Sequence, residues 1–278
     1  MTYRAIVERL QQAGIEQAEW DAQLLLEHFC GASALDVMGD PNRDYGNVPA
    51  LLEAVERRAQ RYPLQYLIGE WAFYRQIYEV SPDCLIPRPD TEILVERAIK
   101  LLPTGARFAD LCTGSGCIAV STLAERPDTT ALAVDKFENT LAVATRNAKK
   151  NGVFDRFTPV LADVLQKDFL PAELETLDAV LCNPPYIPTR ELASLEPELS
   201  VEPRAALDGG DDGLIFYDTL LAIATPYLKR DGFFLFEIGY DQADDLRALA
   251  QKHGFSGVEV IRDYGGNDRV VRLWRPFA

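Results

Sequence analysis

The sequence predicts a doubly wound α/β sheet preceded by a small all-helical N-terminal domain, and three observations carry that prediction. From Arg107 onward, short apolar or β-branched runs alternate with stretches of helical period. The first 70 residues show the helical period alone. Between these regions, Trp71 to Tyr74 and Ile77 to Val80 are aromatic and β-branched runs separated by Arg75 and Gln76, the pattern of a β-hairpin. The 278 residues, 47% hydrophobic, suffice for one large domain or two modest ones. The expected division is a helical domain over 1–70, a hairpin linker over 71–84 and the α/β domain over 85–278.

Each element follows from its local pattern. Tyr3 to Ala13 sets Ile6, Val7 and Leu10 on one helical face, and Trp20 to Phe29 does the same with Leu24, Leu25 and Leu26. Gly39 to Asn47 breaks the period. A third helix is expected from Pro49 to Arg61, with Leu51, Leu52, Val55 and Ala59 inward and Glu53, Glu56, Arg57 and Arg58 outward. Past the hairpin, Pro87 and Pro89 hold the chain extended, and Asp90 is placed to cap a helix from Thr91 to Leu102. Strands are expected at Phe108–Cys112, Ala131–Val134, Phe157–Leu161, Leu177–Cys182 and Gly232–Ile238, then near Val258–Ile261 and Val270–Trp274. Helices fill the gaps at Cys117–Ala124, Asn139–Lys150, Leu214–Leu228 and Gln242–His253.

Composition narrows the function. The net charge of −15, from 43 acidic and 28 basic residues, argues against tracking nucleic-acid phosphates, which calls for a basic face. Five cysteines without a C-x-x-C pair, and only two histidines (His28 and His253), point to neither a disulfide framework nor a metal site. No apolar run approaches 18 residues and the N-terminus lacks a signal-peptide pattern, so a cytoplasmic protein with no membrane partner is expected.

Two motifs carry chemistry. Asn183-Pro184-Pro185-Tyr186 closes the Leu177–Cys182 strand, and ligands of open α/β sheets bind beyond the carboxyl ends of strands. The prolines stiffen the turn without adding donors. The Asn183 side-chain oxygen and the Pro184 carbonyl are then neighbouring acceptors suited to a planar –NH₂, with the Tyr186 ring able to lie against its flat face. A rigid strand exit without chemistry fits the four residues alone equally well. The second motif is the strand and turn Ala109 to Gly116, whose glycines admit a close ligand. Asp135, 19 residues after Gly116 and at the end of the next strand, is set to bind ribose hydroxyls, so the pair reads as an adenosine-type site. Gly114 to Ala119 also fits G-x-G-x-x-A, which keeps an NAD-linked enzyme as a competitor. An amine clamp beside the nucleoside, with no histidine nearby, favours methyl transfer from S-adenosyl-L-methionine.

Other residues have structural and functional readings side by side. Asp110 either caps its turn or contacts the nucleoside ligand. Arg88 is either a surface arginine between prolines or a site residue. Glu202 and Arg204 are expected to pair within their loop, and Glu237 and Tyr240 are left outside the site.

Taken together, Pro63 to Leu67, Leu85 to Glu92, Asp110 to Gly116, Asn183 to Ile187, Glu202 to Leu207, Gly209 to Leu214 and Glu237 to Gly239 resemble the HemK/PrmC family over nearly the whole chain. That family consists of protein N5-glutamine methyltransferases acting on peptide chain release factors. The resemblance implies a class I methyltransferase (Rossmann-like) domain behind the helical one, with S-adenosyl-L-methionine as donor and S-adenosyl-L-homocysteine as product. It implies as substrate the glutamine of the Gly-Gly-Gln motif of class 1 release factors. By the same resemblance, Cys112, Thr113, Gly114, Ser115 and Gly116 would contact the methionine end of the donor, Asp135 the ribose, and Asp163 or Val164 the adenine. Asn183, Pro184, Pro185 and Tyr186 would hold the glutamine, Asn183 also bordering the donor, and the helical domain would dock the release factor. Family members usually carry glycine at the position of Cys112, so either its backbone torsions suit a side chain or the donor sits differently. Pro89-Asp90-Thr91-Glu92 replaces the common Pro-Glu-Thr-Glu. The nearest rival is a methyltransferase for the exocyclic amine of adenine or guanine in nucleic acid. A rival of another class is a module that binds the donor or a translation factor without catalysis.

Overall fold

The computed structural model describes residues 1–170 and 176–275. Contacts divide the chain into two compact units, Met1–Glu70 with Glu196–Val201, and Trp71–Leu195 with Glu202–Ala278.

The first unit contains α1 (Tyr3–Gln12), α2 (Ala18–Cys30), α3 (Ala34–Gly39), α4 (Pro49–Ala59) and α5 (Leu64–Ile68). Thr2 starts α1 by accepting the Ala5 N–H at 3.2 Å, and Pro49 stands at the first turn of α4, where its missing N–H is not needed. Helices α3 and α5 were not expected, being six and five residues long, too short to show a period. The cue for α3 is its capping box, Ser33 with Asp36. Ile6, Leu10, Leu25, Leu26, Leu51 and Val55 are fully buried in one core. Arg58, expected outward, is buried: its Nε donates to the buried Asp21 at 2.6 Å and its Nη1 to Glu198 at 3.0 Å. Glu198 lies 140 residues away in sequence, so helical periodicity could not supply this partner.

The second unit opens with a hairpin, β1 (Glu70–Phe73) and β2 (Gln76–Glu79), followed by α6 (Glu92–Leu101). Its helices α7 (Cys117–Glu125), α8 (Glu138–Lys150), α9 (Ile215–Ile223) and α10 (Ala243–Lys252) flank a seven-stranded sheet. The sheet strands are β3 (Arg107–Leu111), β4 (Thr130–Asp135), β5 (Phe157–Leu161), β6 (Leu177–Cys182), β7 (Leu228–Glu237), β8 (Gly257–Arg262) and β9 (Asp268–Trp274). Their order is β5-β4-β3-β6-β7-β9-β8, with β9 antiparallel to both neighbours and every other pairing parallel. Alternation along the strands sorts the core onto two faces. Phe108, Ala179, Leu181, Phe233 and Leu235 pack with α6, α7 and α8, while Val180, Cys182, Phe234 and Phe236 pack with α9 and α10.

The hairpin is pinned to α7 and α8. The Tyr78 hydroxyl lies 2.6 Å from Ser121 Oγ, and Asn147 of α8 receives the Glu79 N–H at 2.7 Å while donating to the Glu79 and Ser115 carbonyls. Helix α9 stops at Ile223 rather than Leu228 because Pro226, in a 3₁₀ turn over Thr225–Tyr227, cannot continue the hydrogen-bond ladder. Strand β7 begins four residues earlier than expected. Asp90 does not cap α6; it faces Arg269 at 3.4 Å, and the helix starts from Thr91 with no side-chain cap.

Adjacent strands β3 and β6, with Leu111 opposite Cys182, mark where the winding reverses: β4 and β5 extend to one side and β7 to the other. Both motifs therefore emerge side by side at the topological switch point.

Candidate active site

The turn after β3 is left-handed at Cys112, Gly114 and Gly116, with φ of 58°, 56° and 81°. Gly116 opens α7 where a Cβ would come 3.1 Å from the Ala144 side chain, so torsion and close helix approach both demand glycine. Cys112 keeps the backbone that glycine usually serves. Of the two expectations for it, torsions comfortable for a side chain are not what is found; a non-glycine residue there costs about 1–2 kcal/mol.

Asp110 holds this turn. Its Oδ2 accepts from Thr113 Oγ1 at 2.7 Å and from the Ala119 N–H at 3.1 Å, while Oδ1 has no partner among the described residues. Complete burial pushes the carboxyl up to about 7, against the pull of those two bonds. The native state thus binds this proton more tightly than the unfolded chain. The resulting stability is fully present below the unfolded pKa of about 4 and is lost as pH rises through about 7. Asp110→Asn removes the titration, so denaturant midpoints measured between pH 5 and pH 8 should fall less in the variant than in the parent. An undiminished fall would contradict this role.

Asp135, at the end of β4, accepts from the Gly114 N–H through Oδ2 and the Phe137 N–H through Oδ1, each at 3.1 Å. A carboxylate has about four lone-pair sites, so acceptor capacity remains for a ligand. Burial raises its pKa, and backbone N–H bonds oppose the shift. Asp163 receives the Leu165 N–H at 3.0 Å, with Lys136 Nζ 3.9 Å away, and Val164 is buried.

Beyond β6, Asn183 Nδ2 donates to Thr91 Oγ1 at 3.3 Å. The following backbone is clamped by a glycine-rich loop: the Ile187 N–H donates to Leu207, the Gly209 N–H to Ile187, and Gln242 Nε2 to the Tyr186 carbonyl at 3.0 Å. At Gly213, with φ of 78°, a Cβ would stand 2.4 Å from the Tyr186 carbonyl oxygen. Sequence reasoning assigned no role to Gly213 and missed Gln242. Three glycines within five residues, Gly209, Gly210 and Gly213, were the available signal for the first, and a buried polar side chain at a helix start gave none for the second.

Glu202 pairs with Arg88 and accepts the Ile86 N–H at 3.0 Å, so the expected Glu202–Arg204 pair is not formed; Arg204 instead reaches Asp208 at 3.3 Å. Extended residues 85–88 are thereby tied to the loop before Leu207. Glu237 is buried and Tyr240 is exposed.

These pieces line a solvent-open cleft. Its wall includes Cys112 to Ser115, Asp135, Asp163, Val164, Asn183 and Pro185, with Arg88 and Phe216 bordering it. Gly116, Pro184 and Tyr186 are not part of that wall, and neither are the two histidines; His253 is engaged with Asp218 at 2.6 Å.

Comparison with known proteins agrees with this architecture. The PrmC N-terminal domain family matches residues 2–69 and the Methyltransferase small domain family residues 89–206. The catalytic domain of hMettl16, solved with an RNA hairpin, superposes with a TM-score of 0.57 at 15% identity, over 80% of this chain and 92% of that one. The fold is that of a class I methyltransferase. Among curated relatives, the release factor glutamine methyltransferase of Caulobacter vibrioides is 38% identical over 97% of this chain and 93% of its own. That of Nitratidesulfovibrio vulgaris is 39% identical over 95% and 90%. The chain belongs to the release factor glutamine methyltransferase family.

Proposed function

We propose that the protein transfers a methyl group from S-adenosyl-L-methionine to the side-chain amide nitrogen, N5, of the glutamine in the Gly-Gly-Gln motif of class 1 peptide chain release factors. The observation that carries this reading is the setting of Asn183: it enters the cleft beside the glycine turn, and its Nδ2 is engaged by Thr91, which leaves Oδ1 to accept from a ligand. Near-full-length relatives named for the same activity support it.

The cleft suits the donor. Cys112 to Ser115, which line the cleft, would receive its methionine end on the turn that Gly116 closes, Asp135 has acceptor capacity left for ribose hydroxyls, and Asp163 or the apolar surface of Val164 would meet the adenine. Bound there, S-adenosyl-L-methionine supplies an electrophilic methyl group.

An amide nitrogen is a poor nucleophile because its lone pair is delocalised, so positioning carries the catalysis. Asn183 Oδ1 and the Pro184 carbonyl would accept both N–H bonds of the glutamine amide, turning its nitrogen toward the donor side, and Tyr186 would support the amide plane. As the new N–C bond forms, the methyl–sulfur bond would break and S-adenosyl-L-homocysteine would leave; the nitrogen, made acidic by its new bond, would then give one N–H proton to water. A strong base is therefore not required before attack. The helical unit would dock the release factor. Among the described residues no helix is long and apolar enough to cross a membrane, and a cytoplasmic site of action follows from the substrate.

Radiolabelled donor offered with release factor, DNA and ribosomal RNA in parallel tests the substrate. Label is expected in the release factor alone; label in either nucleic acid would move the assignment to an exocyclic base amine.

A further inference from the structure

We propose that Gln242 is a positioning residue that fixes the direction in which the Asn183 and Pro184 oxygens are presented. The inference rests on the proposed amide clamp. Asn183-Pro184-Pro185-Tyr186 leaves the sheet after Cys182, which is held in register with Leu111 of β3 and Phe236 of β7. Two proline rings fix φ inside the tetrapeptide, so the span is stiff and its course is set by what holds each end. At the far end the Ile187 N–H donates to the Leu207 carbonyl at 3.0 Å and the Ile187 carbonyl accepts from the Gly209 N–H at 2.8 Å. Both partners belong to the glycine-rich loop, so these bonds alone would let loop and clamp shift together.

Gln242 ties the two to the sheet. Its own backbone is pinned: its N–H donates to the Gly239 carbonyl at 3.1 Å, and its carbonyl accepts the Leu246 N–H at 3.0 Å as α10 begins. The side chain is buried and reaches in two directions. Oε1 accepts the Gly239 N–H at 2.9 Å, just beyond β7, and the Tyr217 hydroxyl at 3.4 Å. Nε2 donates to the Tyr186 carbonyl at 3.0 Å and to the Gly213 carbonyl at 3.4 Å. One amide thus joins clamp, glycine-rich loop and strand end. Its orientation admits no reversal, because a backbone N–H can only donate and a carbonyl can only accept. A flipped amide would set –NH₂ against the Gly239 N–H and an oxygen against two carbonyls.

That asymmetry separates positioning from packing. Gln242→Glu keeps the size and an oxygen for Gly239. When protonated, the new side chain can donate to Tyr186; when ionised, it turns a negative oxygen toward two carbonyls. Burial favours the neutral form, so the new acid should titrate above the ordinary carboxylate value of about 4.3. The titratable groups around the site are Tyr217, Tyr186, Asp241 beside it in the chain, and Glu237, whose main-chain carbonyl takes the Tyr217 hydroxyl at 2.8 Å. Burial shifts both tyrosines upward, so they stay neutral, and raises Glu237 to about 7. The parent shares all four groups, so a titration found only in the variant belongs to position 242.

The test uses the full chain and two independent readouts. Tyr186-Ile187 is the only Tyr-Ile pair in the sequence, so isotope labelling of tyrosine carbonyls and isoleucine nitrogens gives a single NMR signal for the Tyr186 carbonyl. Without substrate, that signal should move in Gln242→Glu with a pH midpoint that the parent lacks. In Gln242→Met, similar in size but without a donor, it should be displaced from the parent position at every pH. On release factor, kcat of Gln242→Glu relative to the parent should fall by up to about 100-fold as pH rises through the same midpoint and recover as pH is lowered, with the donor KM unchanged. A Tyr186 signal indifferent to both substitutions overturns the inference, as does a loss of kcat matched by a loss of donor affinity. Failure of the parent enzyme to label release factor overturns the substrate assignment instead, and the NMR readout still decides whether Gln242 holds the clamp.

Discussion

Asn183→Ala is expected to lower turnover by a factor of about 10² to 10³ while donor affinity stays near that of the parent. The substitution removes the side-chain acceptor for the substrate amide. It leaves the loop backbone intact, because that backbone is held from outside by Gly209, Leu207 and Gln242 rather than by the Asn183 side chain. Single-turnover rates on release factor, alongside calorimetric binding of S-adenosyl-L-homocysteine, separate the two effects. Asn183→Asp sharpens the reading. A carboxylate at 183 would offer no N–H to Thr91 Oγ1, so accepting capacity alone should not rescue activity. Turnover within a few-fold of the parent in Asn183→Ala would reject the clamp.

The second large effect is expected at Gly213. Alanine there must adopt φ near 78° and place its Cβ 2.4 Å from the Tyr186 carbonyl oxygen, a backbone atom that cannot swing aside as a side-chain tip would. Torsional strain of about 1–2 kcal/mol adds to overpacking of about 1–3 kcal/mol. The cheapest relief is to push residues 185–187 outward, which misplaces the Pro184 and Asn183 oxygens. A displacement of about 1 Å at a positioned group can cost about 100-fold in rate. Gly254→Ala is the matching control: its φ of 77° demands the same torsion, but the added Cβ would meet nothing within 4 Å among the described residues. Gly254→Ala should lose stability without losing turnover, and Gly213→Ala should lose both. Unfolding midpoints and kcat measured on the pair distinguish strain alone from strain transmitted to the clamp. Equal kcat in the two variants would contradict the role given to the Gly213 loop.

What was legible in the sequence divides along physical lines. The strands β3, β4 and β6 and helix α8 announced themselves because both faces of a central parallel strand are buried and α8 has one polar side, so hydrophobic period and structure coincide. Both motifs were legible for a related reason: glycine and proline constrain the backbone wherever they occur. Side-chain pairing across long sequence separations was not. Arg58 reads as a polar-face residue of α4 until Asp21 and Glu198 close around it, and Glu202 reads as a partner for Arg204 until Arg88 is nearer. Asp90 carried a sound local capping signal that Arg269, far along the chain, overrode. Glu237 reads as a residue that borders the pocket or only closes a turn; its burial exists only in three dimensions.

Parent enzyme, donor and intact release factor, followed by mass spectrometry of the peptide containing Gly-Gly-Gln, address the central claim most directly. The account predicts one added methylene mass, assigned by fragmentation to the glutamine side chain, appearing only when enzyme and donor are both present and absent with Asn183→Ala. A methyl group on another residue, or none on that glutamine under conditions where the donor binds, would contradict it.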